Sequence, residues 1–250
     1  MRVLVTRPAA QALEWVDGLR GAGLDAQALP LIDILPVDDA APLHAAWQAL
    51  ADHALVMFVS PNAAECFFAQ RPGQAAWPAD VPAASPGPGT TRVLRGWGVA
   101  QVVEPAADSA QFDSEALWQQ LREREWAGRR VLVVRGTSGR DWLADRLREQ
   151  GAVVSLVCAY RRAAPVPDAQ ASAWLQAALD APAGHLWFFS SSEAIDHLEA
   201  LAPRARWDAA RALATHPRIA ARARALGFGQ VLESRPTFAE VVACIQSIAS

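Results

Sequence analysis

Tyr160 is the single tyrosine of the chain, and Arg161 and Arg162 follow it directly. A phenol in such a segment can donate a proton or a hydrogen bond into a cleft, and the guanidinium groups beside it suit carboxylate or phosphate. A buried packing role competes for the same side chain. Other clusters combine small hydroxyl residues, glycines and arginines: Thr6-Arg7-Pro8, Ser60-Pro61-Asn62, Gly87-Pro88-Gly89-Thr90, Arg135-Gly136-Thr137-Ser138-Gly139-Arg140, Ser190-Ser191-Ser192 and Thr215-His216-Pro217-Arg218. Each falls at the expected carboxyl end of a strand. There, helix N-termini point free N–H groups at ligands, and arginine forks hold anions. Ser60, Ser190 and Thr215 are also ordinary helix-capping residues. Only their recurrence at one edge points to a site.

Several chemistries are excluded. All 23 basic residues are arginine. Without lysine there is no Schiff-base lysine, no phosphate loop ending in Gly-Lys-Ser/Thr and no Ser-x-x-Lys nucleophile. Arg135–Arg140 lacks the G-x-G-x-x-G spacing of dinucleotide sites and is not a G-x-S-x-G elbow, so Ser138 is not read as a nucleophile. Among His44, His53, His185, His197 and His216 there is no i, i+4 ligand pair. His216 alone falls at an expected strand end, where it either touches substrate or caps a helix. Cys66, Cys158 and Cys244 lie far apart and read as neither a zinc site nor a disulfide framework. A net charge of −3 argues against a nucleic-acid partner. No apolar run approaches the roughly 18–20 residues that cross a bilayer. The first residues turn polar too soon for a signal peptide, so a soluble cytoplasmic protein is expected.

The elements that must position these residues are legible from length and repetition. The chain has 250 residues, 52% hydrophobic and 20% charged, with mean hydropathy +0.08. That fits one large domain or two of about 125 residues. Arg2-Val-Leu-Val-Thr-Arg7 returns as Arg130-Val-Leu-Val-Val-Arg135, with Gly23 matching Gly151. Phe58-Val-Ser60 matches Phe188-Phe-Ser190; Pro88, Gly98, Val102 and Glu104 match Pro217, Gly227, Val231 and Glu233. These matches, in order, indicate a duplicated α/β module. Strands are expected at Val3–Thr6, Ala26–Leu29, Leu55–Val59, Ala83–Ser85 and Ala100–Val103. Five more fall at Val131–Val134, Val153–Val157, Leu186–Phe189, Leu213–Thr215 and Gln230–Leu232. Helical patterns alternate with them; Ala12, Trp15, Val16 and Leu19, for instance, share one face. Ten strands in two sets of five give two doubly wound parallel sheets. Leu31–Asp38 and Ala159–Pro167 read as extended connectors punctuated by proline.

With these residues laid out, the chain resembles the uroporphyrinogen-III synthase family. The matching pieces are Val3–Pro8, Pro30–Ile32, Phe58–Ala63, Gly87–Thr90, Asp113–Leu117, Arg135-Gly136 with Gly139-Arg140, Tyr160–Arg162, Phe189-Ser190 and His216–Ala220. They run in order along nearly the whole length. The resemblance implies two Rossmann- or flavodoxin-like domains joined by a two-stranded linker, with a cleft between them. One domain would comprise residues 1–35 and 165–250, and the other, inserted, residues 38–158. The linkers would lie at about 31–38 and 158–166; duplication alone would have placed a simple split near the middle.

The resemblance also implies a cyclising hydro-lyase. Linear hydroxymethylbilane would lose water, invert ring D and close to uroporphyrinogen III, with no cofactor and no metal. By position, Tyr160 matches the tyrosine proposed to assist hydroxyl loss, as a general acid or an orienting group. Thr90, Ser60, Ser190 and Ser192 match residues lining the cleft. Further substrate-binding candidates are Arg7, Thr215, His216 and Arg218 from the first domain. The second domain adds Asn62, Gly87, Arg135, Gly136 and Arg140, and the linker adds Arg161. Where many relatives have a threonine, this chain has Ile219. The partner expected is the small tetrapyrrole, with no nucleic acid and no membrane. A monomer is expected, in transient contact with the enzyme upstream. A non-catalytic two-lobed binding protein for an anionic small molecule is the competing reading. A dinucleotide-dependent enzyme ranks below it, for want of G-x-G-x-x-G.

Overall fold

The computed structural model describes residues 1–249. The chain begins with β1 (Arg2–Val5), α1 (Ala9–Gly21), β2 (Ala26–Ala28), β3 (Asp33–Pro36), α2 (Ala41–Gln48), β4 (Leu55–Phe58) and α3 (Pro61–Ala69). It continues through β5 (Ala83–Ala84), α4 (Pro88–Gly96), β6 (Val102–Val103), α5 (Ser114–Leu121), β7 (Arg130–Gly136), α6 (Trp142–Glu149) and β8 (Val153–Ala163). It ends with α7 (Ala169–Asp180), β9 (His185–Phe189), α8 (Ser192–Leu201), β10 (Arg211–Ala214), α9 (Pro217–Leu226), β11 (Gln230–Glu233) and α10 (Phe238–Ala249).

Two compact units result: Met1–Asp33 with Ala163–Ser250, and Ile34–Arg162. The first holds a five-stranded sheet of order β2-β1-β9-β10-β11, every pair parallel. The second holds a six-stranded sheet of order β3-β8-β7-β4-β5-β6, parallel from β8 to β6. The described residues therefore contain eleven strands, not the ten expected. The extra one, β3, comes from a segment read as connector, and β8 runs on through the other such segment to Ala163. Proline did not prevent pairing, because Pro36 ends an edge strand, where a missing N–H costs no ladder bond.

Alternation along the central strands covers both faces of the second sheet. Val56, Phe58, Leu132 and Val134 pack on one side with Phe67 and Phe68; Leu55, Met57, Val131 and Val133 pack on the other with Leu117 and Leu147. In the first unit, the α1 stripe Ala12, Trp15, Val16 and Leu19 is buried against Val3, Val5 and Phe188. Gly23 at φ +80° ends α1, its N–H donating to the Arg20 carbonyl, while Leu24 N–H reaches Leu19. Gly151 at φ +85° repeats the device after α6. A side chain at either position would force a left-handed backbone that only glycine adopts cheaply.

The repeat also explains the topology. By the sequence matches, β1 and β2 correspond to β7 and β8, and β4, β5, β6 to β9, β10, β11. The two sheets then have the same order, β2-β1-β9-β10-β11 and β8-β7-β4-β5-β6. Apart from β3, which has no counterpart in the repeat, each sheet takes two strands from one repeat and three from the other. The copies have exchanged strands, so a boundary near residue 128 runs through both sheets and separates neither from the other.

Candidate functional site

Tyr160 sits on β8 at a register shift: Arg135 pairs with Cys158, but Gly136 pairs with Tyr160. The bulged residue, Ala159, turns Tyr160 onto the core side with Val157, whereas strict alternation would have put it with exposed Cys158. The ring is 1% exposed. Its hydroxyl lies 3.1 Å from Ser60 Oγ and accepts from the Arg162 guanidinium at 3.2 Å, with Arg162 also over the ring at 5.7 Å. Ser60 caps α3, its Oγ accepting from Ala63 N–H at 3.1 Å. Asn62 follows in the first turn of the same helix. Gly136 lies against the Tyr160 ring, and a β-carbon there would come 2.9 Å from Cζ. With one phenol lone pair taken by Arg162, the phenol proton can go to Ser60 or to a ligand in its place.

The Gly87–Thr90 turn opens α4. Gly87 is the N-cap and supplies no capping side chain. Pro88 has no N–H, and the Thr90 and Thr91 N–H groups donate to the Gly87 carbonyl at 3.1 and 3.2 Å; Phe112 packs beside Gly87, where an added β-carbon would meet its Cβ at 3.2 Å. Thr90 is 3% exposed, and its hydroxyl makes no hydrogen bond within the described residues.

In the other unit the hydroxyls are placed differently from the expectation that Ser190 and Thr215 cap helices. The caps are one residue later: Ser191 accepts from Glu193 N–H at 3.3 Å, and His216 Nδ1 accepts from Arg218 N–H at 3.1 Å. The reason is that β9 and β10 extend backbone pairing to their last residues, Thr215 N–H donating to the Phe189 carbonyl. The hydroxyls of Ser190, Ser192 and Thr215 consequently have no hydrogen-bond partner among the described residues. Arg218 is exposed, and its guanidinium has no partner among them either. Ile219 is buried, offering no hydroxyl.

The other arginines of the expected set are engaged within the chain. Arg135, nearly buried, binds the Asp141 carboxylate and donates to the Gly139 carbonyl at 2.8 Å, holding the loop after β7 in place. Arg140 forms a fork on Glu115 at 2.7 and 3.3 Å. Arg161 binds Asp38 at 2.9 Å and the Pro36 carbonyl at 3.3 Å, tying β8 to β3. Arg7 stacks over Trp15 at 4.7 Å and donates to Gln11 at 3.3 Å. Arg162, absent from the expected set, is the arginine that meets Tyr160. The signal was available in the two-residue period of a strand, which puts 160 and 162 on one side. Burial pushes the Cys66 and Cys244 thiols up from their ordinary pKa. Among the described residues, no group of three His, Cys, Asp or Glu is placed to hold a metal ion, and no helix is long and apolar enough to cross a membrane.

Comparison with known proteins gives a consistent result. The family described as "Uroporphyrinogen-III synthase HemD" matches residues 14–243. The uroporphyrinogen-III synthase of Synechococcus elongatus is 32% identical over 199 residues, covering 77% of this chain and 71% of that protein. That of Escherichia coli is 29% identical over 236 residues, covering 92% and 94%. Among solved structures, the uroporphyrinogen-III synthetase of Helicobacter pylori superposes with a TM-score of 0.61 at 13% identity, over 99% of this chain and 100% of that one. A mutant uroporphyrinogen III synthase of Thermus thermophilus gives 0.58 at 16% identity, over 100% and 97%. These two likenesses speak for the fold; the sequence matches speak for descent. Matched over most of its length, the chain belongs to the uroporphyrinogen-III synthase family.

Proposed function

We infer that this chain cyclises hydroxymethylbilane, with loss of water and inversion of ring D, to uroporphyrinogen III. It is a cyclising lyase of tetrapyrrole biosynthesis. The observation that carries the reading at the level of chemistry is the set of hydroxyls left out of the chain's own hydrogen bonding: Thr90, Ser190, Ser192 and Thr215. In the second unit Thr90 and the α4 N-terminus, and in the first unit Ser190, Ser192, Thr215 and Arg218, each suit carboxylates of a flexible polyanion. The substrate is reactive on its own and closes unaided to the symmetric isomer. The protein's task is then to hold a folded conformer in which the right pyrrole carbon meets the azafulvene carbon. Orientation of this kind can supply about 7–11 kcal/mol, against about 10²–10⁴-fold for a positioned proton donor.

Tyr160 is the donor candidate for the departing hydroxyl. Arg162 holds the phenol oxygen, and Ser60 marks the place the substrate hydroxyl would take. Arg135, Arg140 and Arg161 act in this reading by shaping loops rather than by direct contact, Gly136 by backing the Tyr160 ring and His216 by capping α9, while Arg7, Asn62 and Gly87 remain candidates for substrate contact. The same reading has the chain working as a cytoplasmic monomer. The lability of the substrate favours direct hand-over from the enzyme that makes it, through a transient contact.

Two measurements test the proposal. Given freshly made hydroxymethylbilane, the purified protein should yield mainly the type III isomer. A product mixture equal to the no-enzyme control, or binding of the linear tetrapyrrole without closure, would turn the assignment into a binding protein. Tyr160→Phe should slow turnover by about 10²-fold with its melting temperature nearly unchanged. Full activity in that variant would reduce Tyr160 to packing.

A further inference from the structure

The Gly87–Thr90 turn is held by a chain of buried hydroxyls that its sister turn lacks. Ser85 is fully buried, and its Oγ lies 3.1 Å from the Gly87 carbonyl oxygen and 2.7 Å from Thr91 Oγ1. Thr91, also buried, donates to the Glu104 carboxylate at 2.8 Å, and the other Glu104 oxygen accepts from Arg95 at 3.0 Å. Because a carboxylate only accepts, the Thr91 proton goes to Glu104. Thr91 Oγ1 then accepts from Ser85, which shares its single proton with the Gly87 carbonyl.

The duplication provides an internal control. Arg95 and Glu104 recur as Arg224 and Glu233, still paired at 2.8 Å. Ser85 and Thr91, however, correspond to Ala214 and Ala220, both fully buried. The fold is therefore built equally well with two methyl groups at these places. What differs is the turn above them. In the sister unit, His216 stands where Gly87 does and caps its helix with its own ring, and Ile219 stands where Thr90 does. In the sister helix the His216 ring takes the Arg218 N–H, at the position of Gly89; a capping side chain over α4 would likewise take the Gly89 N–H, since the Thr90 and Thr91 N–H groups already donate to the Gly87 carbonyl at 3.1 and 3.2 Å. A turn held from beneath leaves the Gly89 N–H uncapped and still fixes Gly87 and Thr90.

We propose that Ser85, Thr91 and Glu104 are positioning residues for the reaction, fixing the Gly87–Thr90 turn without placing a side chain over the helix N-terminus. This rests on reading that turn as part of the substrate site. None of the three touches substrate; they act through the Gly87 carbonyl and the start of α4.

The double variant Ser85→Ala/Thr91→Ala copies the sister unit. It should melt within a few degrees of wild type yet lose about tenfold or more in kcat, with a smaller change in KM, because a misplaced turn costs the oriented complex more than the encounter. Thr91→Val should behave alike, and Thr91→Ser, which restores the hydroxyl, should recover most of the rate. Wild-type protein is assayed first for the type III isomer. If it yields none, the reading of the site fails, and this proposal with it. If wild type is active and both the double variant and Thr91→Val keep kcat within about twofold, or lose stability without losing rate, the positioning role is overturned while the assignment of the reaction stands. Should the double variant fail to fold, Thr91→Val against Thr91→Ser decides the question alone.

Discussion

Replacing Gly136 by alanine should leave a folded protein that turns over about 100-fold more slowly. The new β-carbon would lie 2.9 Å from Tyr160 Cζ, 3.1 Å from Cε2 and 3.3 Å from the hydroxyl oxygen. The ring cannot swing away freely, because it is buried among Val157, Ala159 and the Phe58 cluster. It must slide along its own plane, or β8 must shift. Either movement takes the phenol off Ser60 and Arg162, which hold it at 3.1 and 3.2 Å. Overpacking of this kind costs about 1–3 kcal/mol of stability, too little to unfold a domain of ordinary stability. The decisive comparison is a double-mutant cycle with Tyr160→Phe. In that background the hydroxyl is already gone, so Gly136→Ala should cost much less than in wild type. Equal losses in both backgrounds would mean that Gly136 matters for some reason other than the phenol.

The largest loss of stability is expected at Trp187. This indole is 0% exposed at the middle of β9. It stacks near Phe189 at 6.2 Å and meets Trp207 and Phe228 edge-on at 5.7 and 6.4 Å. Trp187→Ala removes the centre of that cluster and should lower unfolding free energy by about 3–5 kcal/mol in urea denaturation. The indole N–H has no hydrogen-bond partner among the described residues, so part of what tryptophan gains by burial is offset by an unsatisfied donor. Trp187→Phe, which deletes the donor and keeps most of the ring, should therefore cost less than about 1.5 kcal/mol. A phenylalanine variant as weak as the alanine one would show that shape at this place outweighs the unpaired donor.

Both sheets and the α1 stripe were legible in the sequence because their signals are long and periodic: apolar runs buried on two faces, and Ala12, Trp15, Val16 and Leu19 on one face. β3 was not, because four residues ending in proline look like a connector until a neighbour supplies the ladder. The strand-end clusters were legible as places. The roles inside them were not, because a cap moves by one residue with the last rung of a sheet. Ser191 and His216 cap where Ser190 and Thr215 were expected to. Arg161 and Arg162 are adjacent in sequence, yet one ties β8 to β3 and the other holds the phenol. Only the side on which each falls separates them, and the bulge at Ala159 resets that side. Arg135 and Arg140 looked like anion ligands because sequence does not reveal that Asp141 and Glu115 already hold them.

The strand exchange has a consequence for the chain as an object. A nick in the loop around Gly128 would cut the backbone but separate nothing, since the ladders β1–β9, β4–β7 and β3–β8 all cross from one fragment to the other. Each fragment alone is two torn half-sheets with raw edges. A single ancestral copy, made as a separate polypeptide, would have met the same difficulty and solved it by lending its last three strands to a twin. Read in that way, the present chain is a swapped homodimer whose partners were later spliced end to end.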